Sequence, residues 1–275
     1  MARGIPGDRQ GHERGGGARD SPRARLAAAL RPAREAGYGA GEYVGQENFM
    51  SAGEILALAR DTGVTARALT LDLCCGTGGP SRYLARQTGC RIVGVDRDPD
   101  AIRLARALAD GAGADRGAFL MADAGRLPFA ARFDAALLLE TMLAIEDKAR
   151  LLTEVRRLLR PGGRFGLTLE EGRPLTDEER RRLPEGDAVW LVTEAEFLVL
   201  LEGAGFRVRQ VEDHTAAHAA LARRLGDAFG GDRDAIAAAV GRARYGEIIT
   251  AHRQWVAWLA ARRVRKLAIV AEPGR

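Results

Sequence analysis

Lysine is nearly missing from this chain: only Lys148 and Lys266 interrupt the arginines among its 42 basic residues. Cysteine is scarce as well. The three present, at positions 74, 75 and 90, form no disulfide framework and no C-x-x-C metal signature. No apolar run reaches the roughly 18–20 residues that cross a bilayer, so no membrane partner is expected. The arginine- and glycine-rich N-terminus lacks the apolar core of a secretory signal, and Asp8, Glu13, Asp20 and Glu35 argue against a transit peptide. A cytoplasmic location follows as the expectation. Histidine is rare too. His12 falls near the N-terminus, and His214 and His218 stand one helical turn apart without a matched third ligand or an H-E-x-x-H pattern, so no metal site is expected.

At 275 residues the chain is long enough for one large α/β domain with a sizeable core. Its charge is uneven. Residues 1–36 hold eight arginines and four acids, which accounts for most of the formal net charge of +5. That segment is rich in Gly, Pro and Arg with few residues able to pack, so it reads as a disordered basic tail, with the folded domain spanning 37–275. An electrostatic arm for nucleic acid is the sharper alternative. It is disfavoured because no basic face recurs in the body.

The most informative stretch is Leu71-Asp72-Leu73-Cys74-Cys75-Gly76-Thr77-Gly78-Gly79-Pro80, followed by Arg91-Ile92-Val93-Gly94-Val95-Asp96. It reads as strand, glycine-rich turn, helix and a second strand ending in a carboxylate. Glycines let the turn fold tightly and approach a ligand closely. Asp96 lies 20 residues after Gly76, a separation at which a carboxylate reaches ribose hydroxyls. Strands then recur at Phe119–Asp123 (closed by its acidic residue), Phe133–Met142, Phe165–Leu169, Phe206–Val211 and Val264–Ala271, alternating with helices opened by caps such as Ser51-Ala52-Gly53-Glu54, Asp98-Pro99 and Thr193-Glu194-Ala195-Glu196. This alternation specifies a doubly wound, mostly parallel sheet.

The turn departs from a dinucleotide fingerprint, whose third glycine is replaced by Ser81. It resembles instead the acid-x-G-x-G-x-G motif of class I S-adenosylmethionine-dependent methyltransferases, with Cys74 in place of the first glycine. The resemblance runs over residues 38–213 and the last strand. Within the family the middle of the chain resembles sarcosine/dimethylglycine N-methyltransferases and natural-product tailoring methyltransferases. The resemblance implies a Rossmann-like seven-stranded sheet, S-adenosyl-L-methionine as cofactor and S-adenosyl-L-homocysteine as product. Carried over position by position, it places Asp72, Cys74, Gly76, Thr77, Gly78, Asp96, Arg97, Asp123, Ala124 and Glu140 around the cofactor, with Asp123 and Ala124 reading the adenine.

Residues 214–262, almost wholly helical in pattern, replace a short connection before the last strand. They read as a helical substrate cap, since a structureless loop of that length is improbable. Ile248, Ile249, His252, Trp255, Val256 and Leu259 recur on one helical side, either as core or with His252 and Trp255 facing a pocket. The acceptor is expected among Tyr38, Tyr43, Phe49, Glu170 and Trp255. His214, His252 and Glu140 are the expected catalytic groups, the histidines as general bases near neutral pH. The expected reaction is methylation of a small molecule, nitrogen slightly ahead of oxygen, with carbon open and a homodimer left open. Two alternatives stand beside it: cyclisation or other non-methylating use of the cofactor, and an RNA-binding methyltransferase using the arginine-rich tail.

Overall fold

The computed structural model describes residues 21–110, 117–130, 132–184 and 186–274. Seven strands form one sheet: β1 (Leu69–Leu73), β2 (Arg91–Asp96), β3 (Gly117–Met121), β4 (Phe133–Leu138), β5 (Leu159–Glu171), β6 (Phe206–Asp213) and β7 (Arg265–Pro273). Their spatial order is β3-β2-β1-β4-β5-β7-β6, with β7 antiparallel to both of its neighbours and the other pairs parallel. The chain reverses its direction of winding between β1 and β4. Ligands of open α/β sheets gather at such a switch point, beyond the carboxyl ends of the strands.

Register brings the motif residues to that edge. Leu73 pairs with Val95 on one side and with Leu138 on the other, so the turn after β1, Asp96 and the residues just past β4 emerge level with one another. Both sheet faces are covered, as a parallel sheet requires. Leu71, Leu73, Leu138 and Phe165 pack with α5 (Lys148–Leu158) and α7 (Glu194–Gly203). On the opposite face Ile92, Ala135, Leu137 and Val270 meet α2 (Ala52–Asp61) and α3 (Gly79–Thr88). Each such fully buried leucine or phenylalanine stabilises the fold by about 1.5–3 kcal/mol. The Ser51–Glu54 capping box at the start of α2 forms in both directions, and so does Thr193–Glu196 at the start of α7.

The remaining helices are α4 (Pro99–Asp110), the short α6 (Asp177–Arg182), and three inserted between β6 and β7: α8 (Thr215–Gly231), α9 (Arg233–Val240) and α10 (Arg242–Ala260).

One sequence expectation fails here. Ordered structure does not begin at Tyr38, because residues 22–36, assigned above to a disordered tail, lie in α1 (Pro22–Tyr38). Ser21 caps this helix by accepting from the Ala24 N–H, and Pro22 opens it. Ala24, Leu30, Ala33 and Tyr38 are buried, with Leu30, Ala33 and Tyr38 joining Leu221, Leu225 and Phe229 of α8 and Ile236 of α9 in one apolar cluster. Small alanines interleaved with arginines looked too poor to make a core. They suffice because α8 approaches closely: a Cβ on Gly37 would fall 2.7 Å from Leu225 Cδ2 and 3.1 Å from its Cα. The part of the expected tail before Ser21 lies outside the described residues.

Candidate active site

The turn after β1 adopts backbone shapes its composition allows. Gly76 and Gly78 have φ of 54° and 70°, and Cys74, where the motif has glycine, also sits in the left-handed region at φ 55°. A side chain at that φ costs roughly 1–2 kcal/mol. Gly78 has a second constraint, since a Cβ there would fall 2.5 Å from the Phe119 ring. Ser81, the departure from a dinucleotide fingerprint, donates its hydroxyl to Asp72 Oδ2. Burial pushes the Asp72 carboxyl up to about 7 even though this bond opposes the shift.

Asp96 ties the first two βα turns together. Its Oδ2 accepts from the Gly76 N–H at 2.8 Å and its Oδ1 from the Asp98 N–H at 2.9 Å, and each oxygen keeps a further lone pair. Burial pushes the Cys74 thiol up to about 12, so it is neither a thiolate nor a nucleophile.

A cavity of about 310 Å³ opens at this edge, within the size range of small-molecule sites. Nine of the ten positions expected around the cofactor line it, from Asp72, Cys74, Gly76 and Thr77 through Asp96 and Arg97 to Asp123, Ala124 and Glu140. Gly78 does not; it shapes the turn. The loop ahead of α2 closes the cavity from above, with Gly45, Gln46, Glu47 and Asn48 in its wall. That loop rests directly on the turn: a Cβ on Gly79 would lie 2.6 Å from the Gly45 carbonyl. Arg23 of α1 completes the rim, bonding Asp98 Oδ2 at 2.7 Å and Glu47 Oε2 at 3.1 Å. Composition alone had placed Arg23 in the tail.

Glu140, two residues beyond β4, stands at the other end with φ 52°. Its side chain is buried. Oε2 accepts from the Phe49 N–H at 2.8 Å, and Oε1 lies 3.1 Å from Lys266 Nζ and 3.0 Å from His218 Nδ1. Lys266 also reaches Glu170 Oε1 at 3.2 Å, and Glu170 Oε2 accepts from the Leu143 N–H. Burial works against ionising Glu140, but Lys266 and His218 overcome it and hold its carboxyl well below the usual range. Glu170 is shifted upward by burial and by the Glu140 charge, with Lys266 opposing. The two carboxylates that share Lys266 are thus driven apart.

Both lysines of the chain are buried. Lys148 donates to the Ile145 and Trp190 carbonyls at 2.6 Å, and desolvation brings its ammonium down to about 8. Neither its burial nor that of Lys266 was legible in composition. The rarity of lysine was the only signal.

The expected acceptor and base residues separate from one another. Glu170 is in the buried pair just described. Phe49 and Trp255 flank Lys266, whose Nζ lies 5.3 Å and 5.7 Å from their ring centroids. Tyr38 donates to the Asn48 carbonyl and packs on Tyr43, so both hold the loop rather than face the cavity. His252 is corrected. Its Nε2 bonds the Ala222 carbonyl at 2.7 Å, and its ring meets Phe49 and Phe229, which makes it a packing residue between α8 and α10. The helical stripe that carries it is likewise packed, with Ile249, Trp255, Val256 and Leu259 in or against apolar clusters. His214 does not line the cavity either; its Nδ1 meets Glu54 Oε1 at 2.9 Å. His218, passed over as a base, is the histidine beside Glu140.

This sheet order and this site define the Rossmann-like class I methyltransferase fold. Residues 70–163 match the family profile described as a methyltransferase domain. GfsG, a methyltransferase of Streptomyces halstedii, is 34% identical over 125 residues, which is 45% of either chain. The chain therefore spans about half the length of such curated relatives. Among solved structures, the [4+2]-cyclase SpnF superposes with a TM-score of 0.73 at 22% identity, covering 91% of this chain and 94% of its own. Phosphoethanolamine N-methyltransferase 2 of Haemonchus contortus, solved with S-adenosyl-L-methionine, gives 0.77 at 17% identity, over 94% of this chain and 58% of that one.

The cavity's chemistry fits S-adenosyl-L-methionine, the compound with which the Haemonchus contortus enzyme was solved. Glu47, Asp72, Asp96, Asp123 and Glu140 give five carboxyl groups in the wall against the two guanidinium groups of Arg23 and Arg97, suited to a ligand with a sulfonium and an ammonium against a single carboxylate. Among the described residues no helix is long and apolar enough to cross a membrane.

Proposed function

We propose that the protein methylates a small-molecule acceptor at the Glu140 end of this cavity, with the cofactor held by the residues from Asp72 to Ala124. The observation that carries this reading is the convergence of nine expected positions on one cavity that ends at a buried, ionised carboxylate. When bound, S-adenosylmethionine supplies an electrophilic methyl on sulfur, so the protein's work is mainly alignment at near-attack distance. Asp96 would hold the ribose hydroxyls, and Asp123 with the Ala124 N–H the adenine.

The electrostatics of Glu140 favour one kind of acceptor. A carboxylate with a lowered pKa is a poor base toward a neutral hydroxyl. It is well suited to face a positive charge that develops on the acceptor, as when an amine nitrogen or an alkene carbon takes the methyl group. Nitrogen stays ahead of oxygen on this reasoning, and Glu140 acts by its charge, with no general base assigned to His214 or His252. The three helices α8–α10 form the acceptor's cap in this reading.

A methyl-labelled cofactor offered with panels of amines, phenols and isoprenoids tests the proposal. Label in the product with an equal amount of S-adenosylhomocysteine is the expected result. Cofactor-dependent conversion of an acceptor without label transfer would support the cyclase-type alternative, which the overlap with SpnF keeps in play.

A further inference from the structure

The third ligand that His214 and His218 lacked in the sequence is present in the fold. Glu54, from the N-terminal turn of α2, lies between them: its Oε1 is 2.9 Å from His214 Nδ1 and 3.4 Å from His218 Nε2, and all three atoms lie within 4.8 Å of one another. We propose that Glu54, His214 and His218 bind a divalent cation of the zinc type, at a site outside the cofactor cavity.

Four features support coordination over a plain ion-pair cluster. The first is distance: a tetrahedral site with ligands at about 2.0–2.1 Å has edges of about 3.4 Å, the separation of His218 Nε2 from Glu54 Oε1, and the 2.9 Å from His214 Nδ1 to that oxygen need open by only about 0.5 Å. The second is an unmet need. His218 is 2% exposed, yet neither of its ring nitrogens makes a hydrogen bond of acceptable geometry, its Nε2 lying 3.4 Å from Glu54 Oε1. A coordinated ion would meet it.

The third feature is the support behind each ligand. Metal-bound histidines usually present their other nitrogen to a carboxylate, which fixes the ring and its tautomer. His214 Nε2 bonds Glu212 Oε2 at 3.1 Å, and His218 Nδ1 lies 3.0 Å from Glu140 Oε1. Glu54 is oriented too, because its Oε2 accepts from the Ser51 N–H in the capping box. The start of α8 is pinned to β7 by the His214 N–H on the Lys266 carbonyl and by Thr215 Oγ1 accepting from the Lys266 N–H.

Charge is the fourth. The groups facing the site are the carboxylates of Glu54, Glu212 and Glu140, with Glu170 beyond, against the single ammonium of Lys266 and the un-ionised Tyr38 phenol. With neutral imidazoles the cluster is short of positive charge. Two imidazolium protons can supply it, and so can one divalent ion. A cavity of about 20 Å³ lined by Glu54, Asp61, Glu212 and His214 leads to the site and has room for an ion or a water.

The test uses the full-length protein stripped with a chelator and titrated calorimetrically with Zn²⁺ or Co²⁺. One equivalent should bind, and the Co²⁺ form should show the visible absorption of a four-coordinate site. Affinity should rise with pH from about 6 up to about 9 with proton release, because the metal displaces imidazolium protons. Glu54→Gln and His218→Asn should each abolish stoichiometric binding, and Glu212→Gln should weaken it about 10–100-fold. Circular dichroism shows whether each variant folds, and S-adenosylhomocysteine binding by the same samples reads the cofactor assignment separately. Absence of binding by the wild type, binding independent of pH, or unchanged binding by a folded His218→Asn protein would each overturn the proposal.

Discussion

The Lys266 ammonium stands 3.1 Å from Glu140 Oε1, which joins the last strand of the sheet to the acceptor end of the cofactor cavity. Lys266 is 3% exposed and the Glu140 side chain 2%, so the charges have little help from water and depend on each other. Removing one partner of such a buried pair typically costs about 3–5 kcal/mol. Lys266→Met should therefore lower the denaturation midpoint sharply while the m-value holds. A variant as stable as the wild type would show that Glu140 is neutralised by something other than Lys266.

Glu140→Gln keeps the shape and removes the charge that would face the acceptor. Methyl transfer should fall by about 10²–10³-fold. Calorimetric affinity for S-adenosylhomocysteine should change much less, since Asp96 and Asp123 lie toward the opposite end. Equal losses in both would make Glu140 a cofactor ligand only.

Asp96 accepts two backbone N–H groups and retains lone pairs for the ribose. Asp96→Ala should cost about 1.5–3 kcal/mol of S-adenosylhomocysteine binding. Unchanged affinity in a protein with a native circular dichroism spectrum would remove Asp96 from the site.

Deleting residues 1–36 removes nearly all of α1. The buried Leu30 and Ala33 go with it, as do the Arg23 bonds to Asp98 and Glu47 at the cavity rim. Both the melting temperature and cofactor affinity should drop, whereas a disordered tail would leave both alone. A truncated protein that matches the full chain in both would show α1 to be dispensable.

His218 sets a pH dependence. Burial works to lower its pKa, but Glu140 and Glu54 raise it from 6.5 to about 9. Folding thus favours the protonated ring, so its stabilising contribution is complete below about pH 6.5 and is lost as pH rises through 9. With chelator present, the melting temperature should decline across that interval. The decline should be shallower in His218→Gln, and an identical slope would mean that another group titrates there.

Much of the fold was legible because its signals are local. Hydrophobic strands, glycines at positive φ and reciprocal capping boxes act within a few residues, and both predicted boxes formed. The cofactor edge was legible for the same reason, since strand register alone brings the turn after Leu73, Asp96 and the residues just past Leu138 to one edge of the sheet. Where the reading failed, the deciding partner was far along the chain. The alanine- and arginine-rich segment at 22–36 is ordered by apolar residues of α8, and His252 is taken by a carbonyl on that same helix.

The sequence by itself determined the strand–turn–helix order, the glycine turn and the carboxylates that follow it, because each depends on chain geometry over short distances. Only the tertiary structure decided what those groups face. Glu54 reaches His214 across 160 positions, and Glu140 meets a lysine on the last strand. Burial then fixes their charge, because in a low-dielectric interior an ionised group persists only beside a partner, and partners are assigned by packing.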